Sequence, residues 1–147
     1  MTIVKSSFSS EEPPPSAECA PHIKTISLLG TVYKGDVDSR GRPSGAGSLL
    51  FSQGDRYDGE FVEGRRCGRG TYTFVCGDVY DGFWKDDMRN GCGTLRYANG
   101  DVYDGEWCND ARNGAGSLVF SDGRNFVGEW IDDSYGPGTF SEKQNAA

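Results

Sequence analysis

Histidine is almost missing from this sequence: His22 is the one copy in 147 residues. It lies ahead of every glycine, so neither a Ser-His-Asp nor a Cys-His arrangement can form within the glycine-bearing region. The five cysteines (Cys19, Cys67, Cys76, Cys92, Cys108) include no CxxC pair and so show no metal-ligand spacing. Phosphate-cradling loops of the GxGxxG or GKS/GKT kind are lacking, and no window has helical periodicity. No run approaches the roughly 18 apolar residues needed to cross a bilayer. A net charge of −7 and the lack of a basic patch exclude a nucleic-acid binder that works by phosphate neutralisation. Met1 to Ser7 holds no signal-peptide apolar stretch, Thr2 is no myristoylation glycine, and no prenylation cysteine follows. The expectation is a cytoplasmic protein with free thiols and with no catalytic residue, metal or cofactor.

What the sequence does have is glycine, 22 copies, all between Gly30 and Gly138. Residues 1–22 instead carry Pro13, Pro14, Pro15, Pro21 and five serines, and read as a disordered leader. Beyond it the chain repeats. Tyr33-Lys34-Gly35, Tyr57-Asp58-Gly59, Tyr80-Asp81-Gly82, Tyr103-Asp104-Gly105 and Phe126-Val127-Gly128 are one tripeptide at offsets of 24, 23, 23 and 23. Two residues after each glycine comes an apolar side chain (Val37, Phe61, Trp84, Trp107, Trp130), and further on a Gly-x-Gly such as Gly91/Gly93. The units run 33–56, 57–79, 80–102, 103–125 and 126–140. Residues 23–32 form a degenerate half-repeat that covers the first edge, and 141–147 form a polar tail.

Each unit reads as a β-hairpin. In Tyr103-Asp104-Gly105-Glu106-Trp107 ring, glycine and indole share one face and both carboxylates the other. Asn90-Gly91 and Asn113-Gly114 read as the hairpin turns, because both residue types tolerate positive φ. Glycine normally weakens a strand. Here it leaves room for a ring to lie flat across the backbone, so that successive rings stack and stability is shared between neighbours. The expected fold is therefore all-β, an elongated, twisted single-layer antiparallel sheet of stacked hairpins.

Tyr-x-Gly-x-Trp followed by Gly-x-Gly at 23-residue spacing resembles the MORN (membrane occupation and recognition nexus) repeat, over about 33–140. Val37 in the first unit and Phe126 with a shortened loop in the fifth depart from the pattern. The resemblance implies a non-catalytic module of cytoskeletal, ciliary or junctional assemblies, with phospholipid binding proposed for the family and dimerisation through terminal repeats in several members.

Two surfaces follow as candidates. A single layer leaves ring surface partly exposed, so Tyr57, Tyr80, Trp84, Tyr103, Trp107, Phe126 and Trp130 are the expected partner-binding residues, for instance for a helix laid across them. The arginines, placed in within-unit loops, line one long edge. Of these, Arg65, Arg66 and Arg69 are candidates for anionic phospholipid, the alternative to a protein partner in a cytoskeleton- or cilium-associated scaffold. End-to-end homodimerisation is a third expectation.

Overall fold

A computed structural model describes residues 23–143; the leader at 1–22 and the last four tail residues lie outside them. The alternation of ring and carboxylate along each arm yields eleven strands. These are β1 (Ile23–Leu28), β2 (Thr31–Val37), β3 (Pro43–Leu50), β4 (Arg56–Val62), β5 (Arg65–Thr73), β6 (Val79–Lys85), β7 (Met88–Arg96), β8 (Val102–Cys108), β9 (Ala111–Val119), β10 (Asn125–Ile131) and β11 (Ser134–Ser141). Each pairs only with its sequence neighbours, antiparallel, in one open sheet ordered β1 to β11. At ~4.8 Å per strand the sheet spans about 50 Å along the array.

Among the described residues, the twelve large buried side chains project from one face, here the ring face: Tyr57, Phe61, Trp84, Leu95 and their counterparts in the other units. The alternate residues point to the open face. Paired glycines bring the rings down onto the sheet. Gly82 lies opposite Gly93 across the hairpin, and a Cβ on Gly93 would fall within 3.0 Å of the Tyr80 ring. The phenol lies over that bare backbone and donates to the Phe83 carbonyl at 2.8 Å. Tyr57 and Tyr103 do the same toward Glu60 (2.9 Å) and Glu106 (2.8 Å).

The hairpin turns are not at Asn90-Gly91 and Asn113-Gly114. They fall four residues earlier, at Asp86-Asp87 and Asn109-Asp110, where Lys85 pairs with Met88 and Cys108 with Ala111. Both residues of each turn have positive φ (48° and 67°, 47° and 69°), which is the two-residue geometry that matches strand twist. Asp and Asn adopt it because their short side chains bond locally. Asn90-Gly91 forms instead an in-strand bulge: Gly82 pairs with Gly93 but Trp84 with Arg89, so β7 carries two extra residues. Two extra residues preserve side-chain parity, and Arg89 emerges on the ring face. The one-residue deletion in the last unit shortens this bulge, where Trp130 pairs with Tyr135. Between units the turns do close at the glycines read from sequence, with the Gly54 N–H donating to Phe51 O at 2.9 Å.

Candidate functional site

The seven rings nominated for partner binding are the interior of the protein. They are 0–6% exposed, with Tyr57, Tyr80 and Tyr103 at 0%. A single layer was expected to leave ring surface open, but the rings cover one another. Trp84 stands edge-to-face between Tyr57 (5.3 Å) and Tyr80 (5.3 Å), Trp107 between Tyr80 (5.3 Å) and Tyr103 (5.2 Å), and Trp130 between Tyr103 (5.2 Å) and Phe126 (5.4 Å). This edge-to-face geometry is one that ring quadrupoles favour. Each indole N–H reaches the preceding unit: Trp84 donates to Gly70 O (3.1 Å), Trp107 to Gly93 O (3.1 Å) and Trp130 to Gly116 O (3.3 Å). Burial pushes the phenols well above their ordinary range, Tyr103 to about 12.

Arginine completes the cover. Arg66, Arg89 and Arg112 lie in β5, β7 and β9 rather than in loops. Their guanidinium carbons sit 4.6, 4.4 and 4.4 Å from the ring centroids of Trp84, Trp107 and Trp130, one unit further on. Each also grips the next hairpin turn. The Arg89 backbone N–H and Nε–H donate to Asp110 Oδ1 at 2.9 and 3.1 Å, and its Nη2 donates to Asp110 O at 2.8 Å. Arg66–Asp87 and Arg112–Asp133 repeat the arrangement. A second staple runs along the opposite edge. Asp55, Asp78 and Asp101 accept from the N–H groups of Val75, Ala98 and Ser121, each at 2.8 Å. Neither staple was read from sequence. The signal was available as Arg and Asp columns spaced 23 apart, with partners at i and i+21 in the arginine staple and at i and i+20 in the aspartate one.

The lipid candidates are thereby engaged. Arg65 lies 3.7 Å from Asp86, Arg66 3.1 Å from Asp87 and Arg69 3.5 Å from Asp81. Arg66 is turned onto the rings, while Arg65 and Arg69 are exposed, so the three do not form one patch of free cations. Among the described residues no three His, Cys, Asp or Glu side chains come together as a metal-ligand group.

The open face has the character expected of the rings. Leu50, Phe83, Val119 and Val127 project from it at 48, 45, 44 and 56% exposure. A middle row, in which Val127 itself stands beside Ser117, otherwise alternates hydroxyls with acids: Ser48 bonds to Asp58, Thr71 lies 3.5 Å from Asp81, and Thr94 lies 3.0 Å from Asp104. At the end near β1 this face dips into a groove of about 970 Å³ that crosses β1 to β4.

No curated protein matches the chain. Among solved structures it is similar to the TCP domain of SAS-4 (dCPAP) of Drosophila melanogaster, in complex with a proline-rich motif of Ana2 (dSTIL). The identity is 13% over 71% of this chain and 77% of that one, with a TM-score of 0.34. The family model of the MORN repeat matches residues 33–56, 57–79, 80–102 and 103–123. The fifth unit, 126–140, falls outside the matched residues, although β10 and β11 extend the same sheet. Four consecutive matched repeats make up more than half of the chain, which belongs to the MORN repeat family.

Proposed function

We propose that this array is a non-catalytic scaffold that docks protein segments on its open face, within a cytoskeletal or ciliary assembly of the kind the family resemblance implies. The observation that carries the reading is the distribution of apolar surface. A sheet with one face packed normally presents polar residues on the other, yet here Leu50, Phe83, Val119 and Val127 stand out to solvent. These residues stand singly on four strands rather than as one patch, and each offers a separate apolar contact point on a face otherwise made of polar groups. The ring ladder contributes indirectly, as the spine that fixes the spacing of the residues above it. A peripheral-membrane role through Arg65, Arg66 and Arg69 has less support, because each faces a carboxylate.

Affinity purification from the native cell, in parallel with Phe83→Ser/Val127→Ser and with Arg65→Glu/Arg69→Glu, tests the reading. Proteins retained by the wild type and the arginine variant but lost from the open-face variant are the expected outcome. Retention of every protein by the open-face variant overturns it. Co-sedimentation with phosphoinositide vesicles that the arginine variant alone abolishes replaces it with the membrane reading.

A further inference from the structure

The groove on the open face lies where the first two units meet. Strand register sorts its side chains into rows that run across the strands, along the array. On the side of the turns between units Val32 pairs with Leu50, and Leu50 with Arg56. On the side of the hairpin turns within units Ile23 pairs with Asp36, and Ala46 with Glu60. All of these line the groove. The two rows are four residues apart, about 13 Å, with Lys34, Ser48 and Asp58 as a third row on the floor between them, so a helix of ~10–12 Å diameter would lie over that floor.

The charges in the groove are of both signs and not equivalent. Lys34, in no ion pair among the described residues, stands in the row between the two others, two residues from Asp36 on the same face of β2. Asp36 is thus partly offset, and Glu60 is the carboxylate with no cation of its own. Arg56 is neutralised by Asp58, at 2.6 Å. Asp36 and Glu60 are in no ion pair among the described residues. Instead one oxygen of each is held by a backbone N–H beside the bulge: Ala46 N donates to Asp36 Oδ2 at 3.3 Å and Arg69 N to Glu60 Oε2 at 2.7 Å. The other oxygen is left for a partner, on a side chain whose rotamer is already fixed, so little ordering entropy remains to be lost on binding. Glu106 is held in the same way by Ala115 N, at 2.7 Å.

These acids occur once per unit, at Asp36, Glu60, Glu106 and Glu129, with Phe83 taking the place in the third unit. One unit is two strands, about 9.6 Å. Seven residues of α-helix rise about 10.5 Å. An extended segment lying across side chains would leave its own amides unpaired, whereas a helix satisfies them internally. A second copy of this chain would bring like charge against like, at −7 per chain.

We propose that the β1–β4 groove receives an amphipathic helix of a partner protein. Lys or Arg residues seven apart lie on Asp36 and Glu60, and the aliphatic residues between them lie on Val32, Ala46 and Leu50. The assignment rests on the open face being the docking face, and names the chemistry that this part of it selects.

The test uses the full chain and two hydrocarbon-stapled 15-residue helical peptides with the same aliphatic stripe. One carries Lys at i and i+7 on its flank, the other Glu. Stapling removes the nucleation penalty that makes short helices marginal in water. By fluorescence anisotropy the Lys peptide is expected to bind at least tenfold more tightly than the Glu peptide, with the difference shrinking as salt is raised. Glu60→Gln, which keeps an oxygen for the Arg69 N–H, and Asp36→Asn should together reduce that preference to under threefold. Equal binding of the two peptides, no binding of either up to about 1 mM, or a preference unchanged in the double variant overturns the assignment. Phe83 and Val127 lie outside the groove, so purified partners lost from their variant while both peptides fail would overturn the groove assignment and leave the docking face standing.

Discussion

The three junctions between units two and five are built alike, and the junction between units one and two is not. Each of the first three has an indole between two rings, an indole N–H on a glycine carbonyl, an arginine over the indole and that arginine's grip on the next turn. At the first junction Phe61 replaces the tryptophan, Pro43 the arginine and Gly64 the aspartate. What remains is Phe61 edge-to-face with Tyr33 (5.2 Å) and Tyr57 (5.1 Å), with Gly64 N donating to Pro43 O at 2.8 Å. On the other edge Thr31 stands where later units have aspartate, and it receives the Ser52 N–H at 3.4 Å. In a linear array stability is a sum of unit and junction contributions. The first unit, with β1 in front of it, should therefore open before the rest, and the groove lies over that weak junction.

Alkali gives the largest effect, because it acts on several interior rings together. Burial holds the phenols of Tyr57, Tyr80 and Tyr103 neutral, with Tyr103 raised to about 12 from an ordinary value of 10.0. A pKa raised by folding contributes stability below the unfolded pKa that is lost as pH climbs through the folded one. For Tyr103 alone the loss is on the order of 2 kcal/mol. Urea melts should be flat from pH 7 to about 9.5 and fall steeply between pH 10 and 12. A flat profile to pH 12 would mean that these rings are not enclosed.

Next in size come substitutions that deny the rings their place. Gly93→Leu puts a side chain into the Tyr80 ring and should destabilise by about 4 kcal/mol or more. Gly47→Leu meets Tyr33 in the same way, but the global melt should move far less, since the first unit can open and leave the others paired. Trp107→Ala, which removes a ring shared by two units, should cost about 3–5 kcal/mol. Equal melts for the two glycine variants would refute the weak first junction.

The repeat, the strand alternation and the glycine-on-ring packing were legible because each is a short-range pattern multiplied five times. The turn position was not. Asn-Gly and Asp-Asp both tolerate positive φ, and the preference for Asn-Gly ignored that a bulge needs a left-handed glycine as much as a turn does, as Gly91 shows at φ 97°. That slip of four residues sent the arginines into loops and concealed their place over the indoles. The rings were expected to be open because no second layer covers them; edge-to-face stacking between units and a lid of arginine supply what a second layer would. The open-face apolar residues escaped notice because they fall in different columns, such as Phe83 where other units have acids.

Arg89→Ala is a smaller change confined to one interior junction. It removes a guanidinium from Trp107 and two donors, Nε and Nη2, from the Asp110 turn. The backbone N–H is retained, and Asp110 is about half exposed, so screening limits the loss to roughly 1–2 kcal/mol. Arg65→Ala, whose guanidinium touches only Asp86 at 3.7 Å, should be within about 0.5 kcal/mol of wild type. Thermal melts of the two separate a packed arginine from a surface pair.

The last expected effect is a small gain. Pro43→Arg with Gly64→Asp installs at the first junction the pair that every later junction has. Gly64 already has φ 82°, close to the 67° of Asp87, so aspartate enters a conformation that its equivalent adopts. The new guanidinium would lie over Phe61 rather than an indole, a weaker cation–π partner, which holds the gain to about 0.5–1 kcal/mol. Because the global melt is set by the interior junctions, that gain should hardly move it. It should appear instead as slower amide exchange in β2 and β3, with the rates of β6 to β9 unchanged. Slowing spread evenly over all units would mean that the array opens as a whole, and that its first junction is no weaker than the others.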